Sequence, residues 1–450
     1  MKQLKFITIP LLLLILSLHV FSQHDSMKVK FDLSVRYRFE KWDGMNAKNY
    51  GDNGMGAIGK LNDNLLYQRI ITGVTFEANN KLSFAAHLQD SRAFGWSLRN
   101  SKYPDLFKIR KQGTQTPYYT MNPNEEFFEI YDVYIEYKQL LKHLSAKLGR
   151  QKIFYGDNHI FGPGDWGNTG RWTWDALKLS YKKGENFLDL FGGGTKINDP
   201  DKTSVPFTQT EFWGGGLYGH LNIPKLLNIE PFYAYKTEGS ADYINQLRLN
   251  RHWTGLRLFN NNIHNLLIDL TAVKEFGKES NKQIDAYSIF AKAGYQFNNI
   301  PAKPILTIRE SYASGGKKTE NKIYTFDPAY GAGDKYYGWM NITTWSNLDD
   351  REIVLEVFPL KDMWIEMKYN RFYAPVPDDV VLLNTMKLIN GKHHFGDEFD
   401  IFMRYQVLKQ WQLTAAFGYF IPGDLAPINN KTPENAIWLA FQVLFTLHNN

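Results

Sequence analysis

The sequence predicts an all-β fold, a single antiparallel barrel crossing a membrane with about 18 strands, 16 being the alternative. Three observations lead there. Long segments alternate apolar and polar side chains along nearly the whole chain. The connections between them fall into short and long classes. Past the first twenty-odd residues no run of about 18 apolar residues occurs, which excludes ordinary membrane helices but leaves membrane strands open.

The N-terminus is a separate element. Lys2 and Lys5 precede an apolar run from Phe6 to Phe21, and Val20 and Ser22 stand where a signal peptidase requires small residues. The expected division is a signal peptide over residues 1–22 and one barrel domain over 23–450. An uncleaved anchor is the other reading, but the run is short for a spanning helix and strand pattern follows it. The chain contains no cysteine, so no lipid attachment, disulfide framework or thiolate metal site is available. With 43% hydrophobic and 22% charged residues and a mean hydropathy of −0.40, it is too polar for a helical membrane bundle. No linker or composition shift divides it. An exported, cysteine-free chain rich in Tyr, Phe and Trp suits a bacterial envelope.

The first mature segment is the clearest strand. Val29, Phe31, Leu33, Val35, Tyr37 and Phe39 share one parity, whereas Lys30, Asp32, Ser34, Arg36, Arg38 and Glu40 share the other. Comparable alternation runs over 82–89, 131–137, 287–297, 398–407 and 437–447. Weaker segments lie near 65–77, 145–155, 173–183, 186–195, 210–221, 228–237, 248–259, 264–276, 304–314, 338–357, 363–373 and 411–421. Membrane strands need roughly 9–11 residues, and soluble strands average about 5–6; the clean segments match the former. Short polar turns occur at Asn79–Lys81, Lys182–Glu185, Pro359–Asp362 and Lys409–Gln410, with long loops at 43–63, 93–127, 156–172, 196–209, 238–247, 315–337, 374–396 and 422–435. Short periplasmic turns on one rim and long extracellular loops on the other are the barrel pattern. A soluble sandwich would not segregate its loops in this way, and no fixed repeat marks propeller blades.

Parity then assigns the lumen. An arginine facing lipid near the midplane costs roughly 2–4 kcal/mol, so Arg36, Arg38 and Arg404 are expected inward, and Arg309 with them. Arg92, Arg150, Lys152 and Arg171 join them as candidates for the pore, as do Arg69, Lys178, Arg251 and Arg257. Asp132, Glu136, Asp175, Glu398 and Asp400 are the inward acids expected to pair with part of this set. Rows of Arg and Lys with interleaved acids make an anion-conducting path. The plainer alternative is that they pair across strands and solvate the wall. The stretch Gly149–Arg171 is the expected constriction: its glycines let the backbone fold back into the lumen, setting Arg150, Lys152, Asp165 and Arg171 around a passing anion.

Enzyme-like patterns fail their context. Gly54-Met55-Gly56-Ala57-Ile58-Gly59 matches a dinucleotide fingerprint but has no strand before it or helix after it. His393-His394 lacks metal-ligand spacing, and the Asp-rich loops lack an EF-hand pattern. No catalytic residue, metal or cofactor is expected. The arginines alternate within strands rather than cluster, which with export argues against nucleic acid.

Gly149-Arg150-Gln151, Gly156-Asp157, Gly162-Pro163, Asp165-Trp166, Asn168-Thr169-Gly170-Arg171 and Asp175-Ala176 together resemble the alginate export family of outer-membrane proteins. Gln89 to Gly95, Tyr312-Ala313-Ser314-Gly315, Phe326-Asp327-Pro328, Lys335 to Trp339, Glu398, Asp400 and Pro422-Gly423-Asp424 extend the resemblance, in order, over the mature chain. It marks the chain as a divergent member. The resemblance implies an eighteen-stranded barrel in the outer membrane of a Gram-negative bacterium, an arginine-lined pore that passes a polyuronate, and Arg150 as a shared pore cation. The expected function is therefore a passive, electrostatically guided channel for anionic polysaccharide or oligosaccharide. Alternatives are a porin for other small anionic solutes, a barrel enzyme and an adhesive barrel. The expected partners are outer-membrane lipid, the anionic saccharide and periplasmic secretion proteins, around a monomer.

Overall fold

The structure, a computed structural model, describes residues 27–44, 62–95, 108–111, 119–164, 166–243, 248–260, 262–316, 321–332, 336–377, 387–427, 430 and 432–449. The expected leader, the Gly54–Gly59 loop and Asp165 lie outside the described residues.

Alternation at period two produces eighteen long strands. They are β1 (Lys28–Asp43), β2 (Asn62–Glu77), β3 (Leu82–Phe94), β4 (Glu126–Leu141), β5 (Leu144–Lys152), β6 (Thr173–Lys183), β7 (Asn186–Thr195), β8 (Phe212–Ile223) and β9 (Leu227–Glu238). The second half holds β10 (Leu249–Phe259), β11 (Leu266–Glu279), β12 (Lys282–Gln296), β13 (Ile305–Ala313), β14 (Leu348–Val357), β15 (Met363–Tyr373), β16 (His394–Leu408), β17 (Trp411–Pro422) and β18 (Ala436–Asn449). Each pairs antiparallel with its neighbours, and β1 pairs with β18, Phe39 opposite Phe441, so the sheet closes on itself. Closure leaves no edge whose backbone groups would face hydrocarbon unpaired.

Burial is inverted relative to a soluble protein. On β1, Val29 and Phe39 are exposed while Arg36 and Arg38 are buried; the apolar parity meets lipid and the polar parity meets the lumen, as expected. The segment expected at 338–357 becomes a strand only from Leu348, and that expected at 145–155 ends at Lys152. In both cases the missing residues belong to loops that turn into the barrel.

These two loops position the site. The described residues of 153–172, after β5, and of 314–347, after β13, enter the lumen and meet there. Phe161 and Tyr330 form a parallel bridge, and Tyr330 N donates to Ile160 O at 3.0 Å. Lumen-facing glycines make the room: a Cβ on Gly214 would lie 1.9 Å from Tyr330 Oη, and one on Gly216 would lie 2.9 Å from Phe161 Cζ. Tyr155, Phe161, Phe191, Tyr218, Phe232, Trp174 and Tyr330 consequently fill one side of the barrel as a packed aromatic core. A third loop, 196–211, carries Ser204 and Phe207 onto β4 to β6 at the long-loop rim.

Candidate pore and its two cavities

Between the inward loops and the barrel wall lie two cavities, one on either side of Trp166. The inner one, of about 520 Å³, is bounded by Arg36, Arg69, Lys152, Arg309 and Arg404, with Glu366 the single carboxylate among the described residues of its wall. Trp166, Trp339, Trp364, Tyr131 and Tyr336 supply its aromatic surface. The outer one, of about 220 Å³, is bounded by Arg38, Glu40, Trp42, Tyr67 and the loop residues 166–172. Arg36 precedes Arg38 on the same face of β1 and lies nearer the short-turn rim. The inner cavity is therefore the periplasmic one.

Glu40 organises the partition between them. Its carboxylate accepts the indole N–H of Trp42 at 2.6 Å, Trp166 at 3.1 Å and Trp438 at 3.0 Å. Arg38 Nε lies 2.7 Å from the same carboxylate. The Arg38 guanidinium donates to Trp166 O at 2.5 Å and lies 4.2 Å above that indole. Arg36 and Arg69, opposite each other on β1 and β2, both donate to Gly167 O, at 2.9 and 3.2 Å. The loop is thus tied to the barrel wall by arginines on either side of Trp166.

The candidate cations separate into distinct places. Arg36, Lys152, Arg309 and Arg404 border the inner cavity, and Arg38 and Arg171 the outer one. Arg309 stands 3.6–3.9 Å from Glu352, Glu356 and Glu366, whereas Arg171 pairs with Glu211 at 3.0 Å. Two expectations are overturned. Arg92 takes the outward parity of β3 with Leu88 and Phe94, pairs with Asp90 at 2.7 Å and lies over Phe127; a carboxylate partner two residues away lets it stand on the outer face near the rim.

Arg150 is no pore cation either. Its guanidinium grips Asp175 at 2.7 and 2.9 Å, Glu129 at 3.0 Å and Ser204 O at 2.6 Å, with no exposed surface. Asp175 lies between the lumen-facing Trp174 and Ala176, so the pair occupies the outward parity, sealed under the 196–211 loop.

The acids differ from expectation too. Asp132 holds His87 at 2.7 Å rather than an arginine, with Asp32 on the other ring nitrogen at 3.1 Å. Glu136 stands opposite Lys147 in the ladder. Glu398 and Asp400 accept the backbone N–H of Met340 and Trp339, at 2.8 and 3.0 Å, and so clamp the second inward loop instead of pairing with pore arginines. Short-range alternation cannot reveal that loop backbone would arrive as their partner.

Sequence reasoning missed Glu40, Trp166 and Tyr131. Glu40 carried a signal, since Trp42 follows it on the same parity. Tyr131 did not: the ladder skips it, His87 facing Asp132 and Leu88 facing Ile130, and such a bulge re-aims a side chain that strict alternation sends outward. Among the described residues no cluster of His, Asp or Glu is arranged to hold a metal ion.

A closed eighteen-stranded barrel with long loops on one rim, two of them folded into a water-accessible lumen, defines an outer-membrane channel. The chain belongs to the alginate export family, whose pattern it matches over residues 27–437. No curated protein matches it in sequence. Solved structures share the fold at low identity. OccAB2 of Acinetobacter baumannii is 12% identical, with a TM-score of 0.60 and coverage of 94% of this chain and 98% of that one. OccK2 (OpdF) of Pseudomonas aeruginosa, solved in complex with glucuronate, is 9% identical, with a TM-score of 0.59 and coverage of 94% and 99%. OccK11 (OpdR) of the same organism is 10% identical, with a TM-score of 0.58 and coverage of 94% and 96%. The protein is placed in a Gram-negative outer membrane.

Proposed function

We propose that the channel passes anionic saccharides, sugar acids and short polyuronates, by electrostatic attraction into the inner cavity and release from it. The observation that carries this reading is the composition of that wall: among the described residues, five cationic side chains against the one carboxylate of Glu366, set among indole and phenol rings. Guanidinium forks suit carboxylates, and aromatic faces suit the C–H face of a pyranose. A confined cavity of one sign concentrates the opposite ion, and several weak sites in succession let it leave. Nothing in such a path couples to an energy source, so the gradient sets the direction. The same reading takes residues 1–22 as a leader removed on export and the barrel as a monomer.

The test is conductance in a planar bilayer under a salt gradient, with glucuronate as the blocking solute. The expected reversal potential is anion-selective, and Arg404→Gln lowers the anion-over-cation permeability ratio about threefold, as removal of one of several confined charges should. Cation selectivity, or a ratio unmoved by Arg404→Gln, sinks the reading.

A further inference from the structure

The outer cavity differs in kind from the inner one. Its ionic groups are already matched: Arg38 lies 2.7 Å from Glu40, and Arg171 pairs with Glu211 at 3.0 Å. It therefore offers an anion little net charge. Its three indoles also have their N–H groups engaged, Trp42 and Trp166 on Glu40 and Trp172 on Gly331 O at 3.3 Å. With the polar edges tied back, the rings meet the cavity as apolar surface.

What remains polar is amide. Asn124 is 6% exposed and borders the cavity, and its Nδ2 has no acceptor among the described residues. A buried donor left without an acceptor costs about 1–3 kcal/mol, which a ligand oxygen arriving there would recover. Trp172, on the same wall, has a φ of +57°. For a bulky side chain that backbone is strained, and strain of this kind accumulates at ligand-binding positions.

We propose that the outer cavity is a second saccharide site, reading the ring face and hydroxyls of one sugar unit rather than its charge. Aromatic walls, an amide donor awaiting an oxygen, balanced charge and a volume of about 220 Å³ fit a single uncharged or charge-remote pyranose. Trp166 borders both cavities, so the outer site abuts the arginine-lined one across that indole. Recognition is thereby divided, hydroxyl pattern outside and carboxylate inside. The proposal rests on the channel being a saccharide conduit, but it makes a separate claim: a neutral sugar binds.

The experiment is single-channel current interruption by maltose added on the long-loop side, compared with glucuronate, with the reversal potential read in the same membranes. Maltose should interrupt the current of the unaltered channel. Asn124→Leu, which removes the amide, should shorten each interruption about fivefold, the loss of one hydrogen bond. Ala332→Leu, which fills the same cavity from the opposite loop, should do likewise and carries the test where the first variant fails to insert. Block by glucuronate with none by maltose overturns the outer site and leaves the inner reading standing. Maltose interruptions of unchanged length in both variants place the sugar elsewhere and also overturn it. A cation-selective channel whose maltose block Asn124→Leu shortens supports the outer site while sinking the anionic reading.

Discussion

The two sides of the lumen use arginine in opposite ways. Toward β5 to β11, Arg251 is held by Glu275 and Glu279 at 2.6 and 2.5 Å, and Arg257 by Glu230 and Asp269 at 3.0 and 2.6 Å. Glycines there admit the inward aromatics, and the space is filled. Toward β13 to β18 and on to β2, arginines stand around an open cavity with one carboxylate among the described residues of its wall. Counting lumen cations thus says little about a pore. What distinguishes the inner cavity is that, among the described residues of its wall, bases outnumber acids.

Arg150 gives the harshest way to break this comparison. It belongs to the filled side, and Arg150→Ala leaves Asp175 and Glu129 buried without their cation. Breaking such a pair by removing one partner costs about 3–5 kcal/mol. The expected outcome is a lowered urea midpoint in detergent with an unchanged reversal potential. A selectivity change of the size given by Arg404→Gln would return Arg150 to the pore. Replacing Arg150, Asp175 and Glu129 together by Met, Leu and Gln should recover most of the midpoint.

Gly214→Leu should break the filled side from within. Its Cβ alone would lie 1.9 Å from Tyr330 Oη and 2.4 Å from Tyr235 O, so the second inward loop cannot keep its seat. Unseating it should raise single-channel conductance about twofold or more, since overpacking is relieved by moving whatever is least anchored. Gly192→Ala is the matching control. The nearest atom to its added Cβ is 3.8 Å away, and conductance should not change. Equal conductance in all three channels would mean that the loop does not limit the current.

These contrasts also mark what the sequence could reveal. Strand alternation was legible because hydrocarbon outside and water inside impose period two on every residue between the rims. The Arg36 and Arg404 positions followed from that rule. Arg150 did not, although it obeys the same rule: it alternates with Leu148 on the outer parity, and motif resemblance outweighed the parity. Gly214 and Gly216 of β8 read as weak strand until Tyr330 and Phe161 are placed against them. Loop residues such as Trp166 carry no periodicity, so nothing local says that they turn inward; their partners, Glu40 and Trp438, are far away in the chain. Local chemistry specified the wall, and long-range docking specified the constriction.

The crossing of the two loops offers the mildest perturbation. Asp157 Oδ2 lies 2.8 Å from His159 Nδ1 and 3.5 Å from Arg257 Nε, and its carbonyl accepts from Tyr336 Oη. Burial alone would raise this carboxyl, but the neighbouring His159 and Arg257 outweigh burial and hold it below the usual carboxylate range. A depressed acid contributes stability that is fully present above its unfolded pKa and is lost as the pH falls through the folded one. The loop crossing should therefore hold at pH 5 and loosen only below about pH 4, the ordinary aspartate value. Current fluctuations between pH 7 and pH 3 report this directly. Asp157→Asn should fluctuate already at pH 7, because the amide keeps the shape but not the charge facing Arg257. A transition near pH 6 in the unaltered channel would assign the loosening to an imidazole, and Asp157 would lose its place as the group that holds the first loop against Arg257.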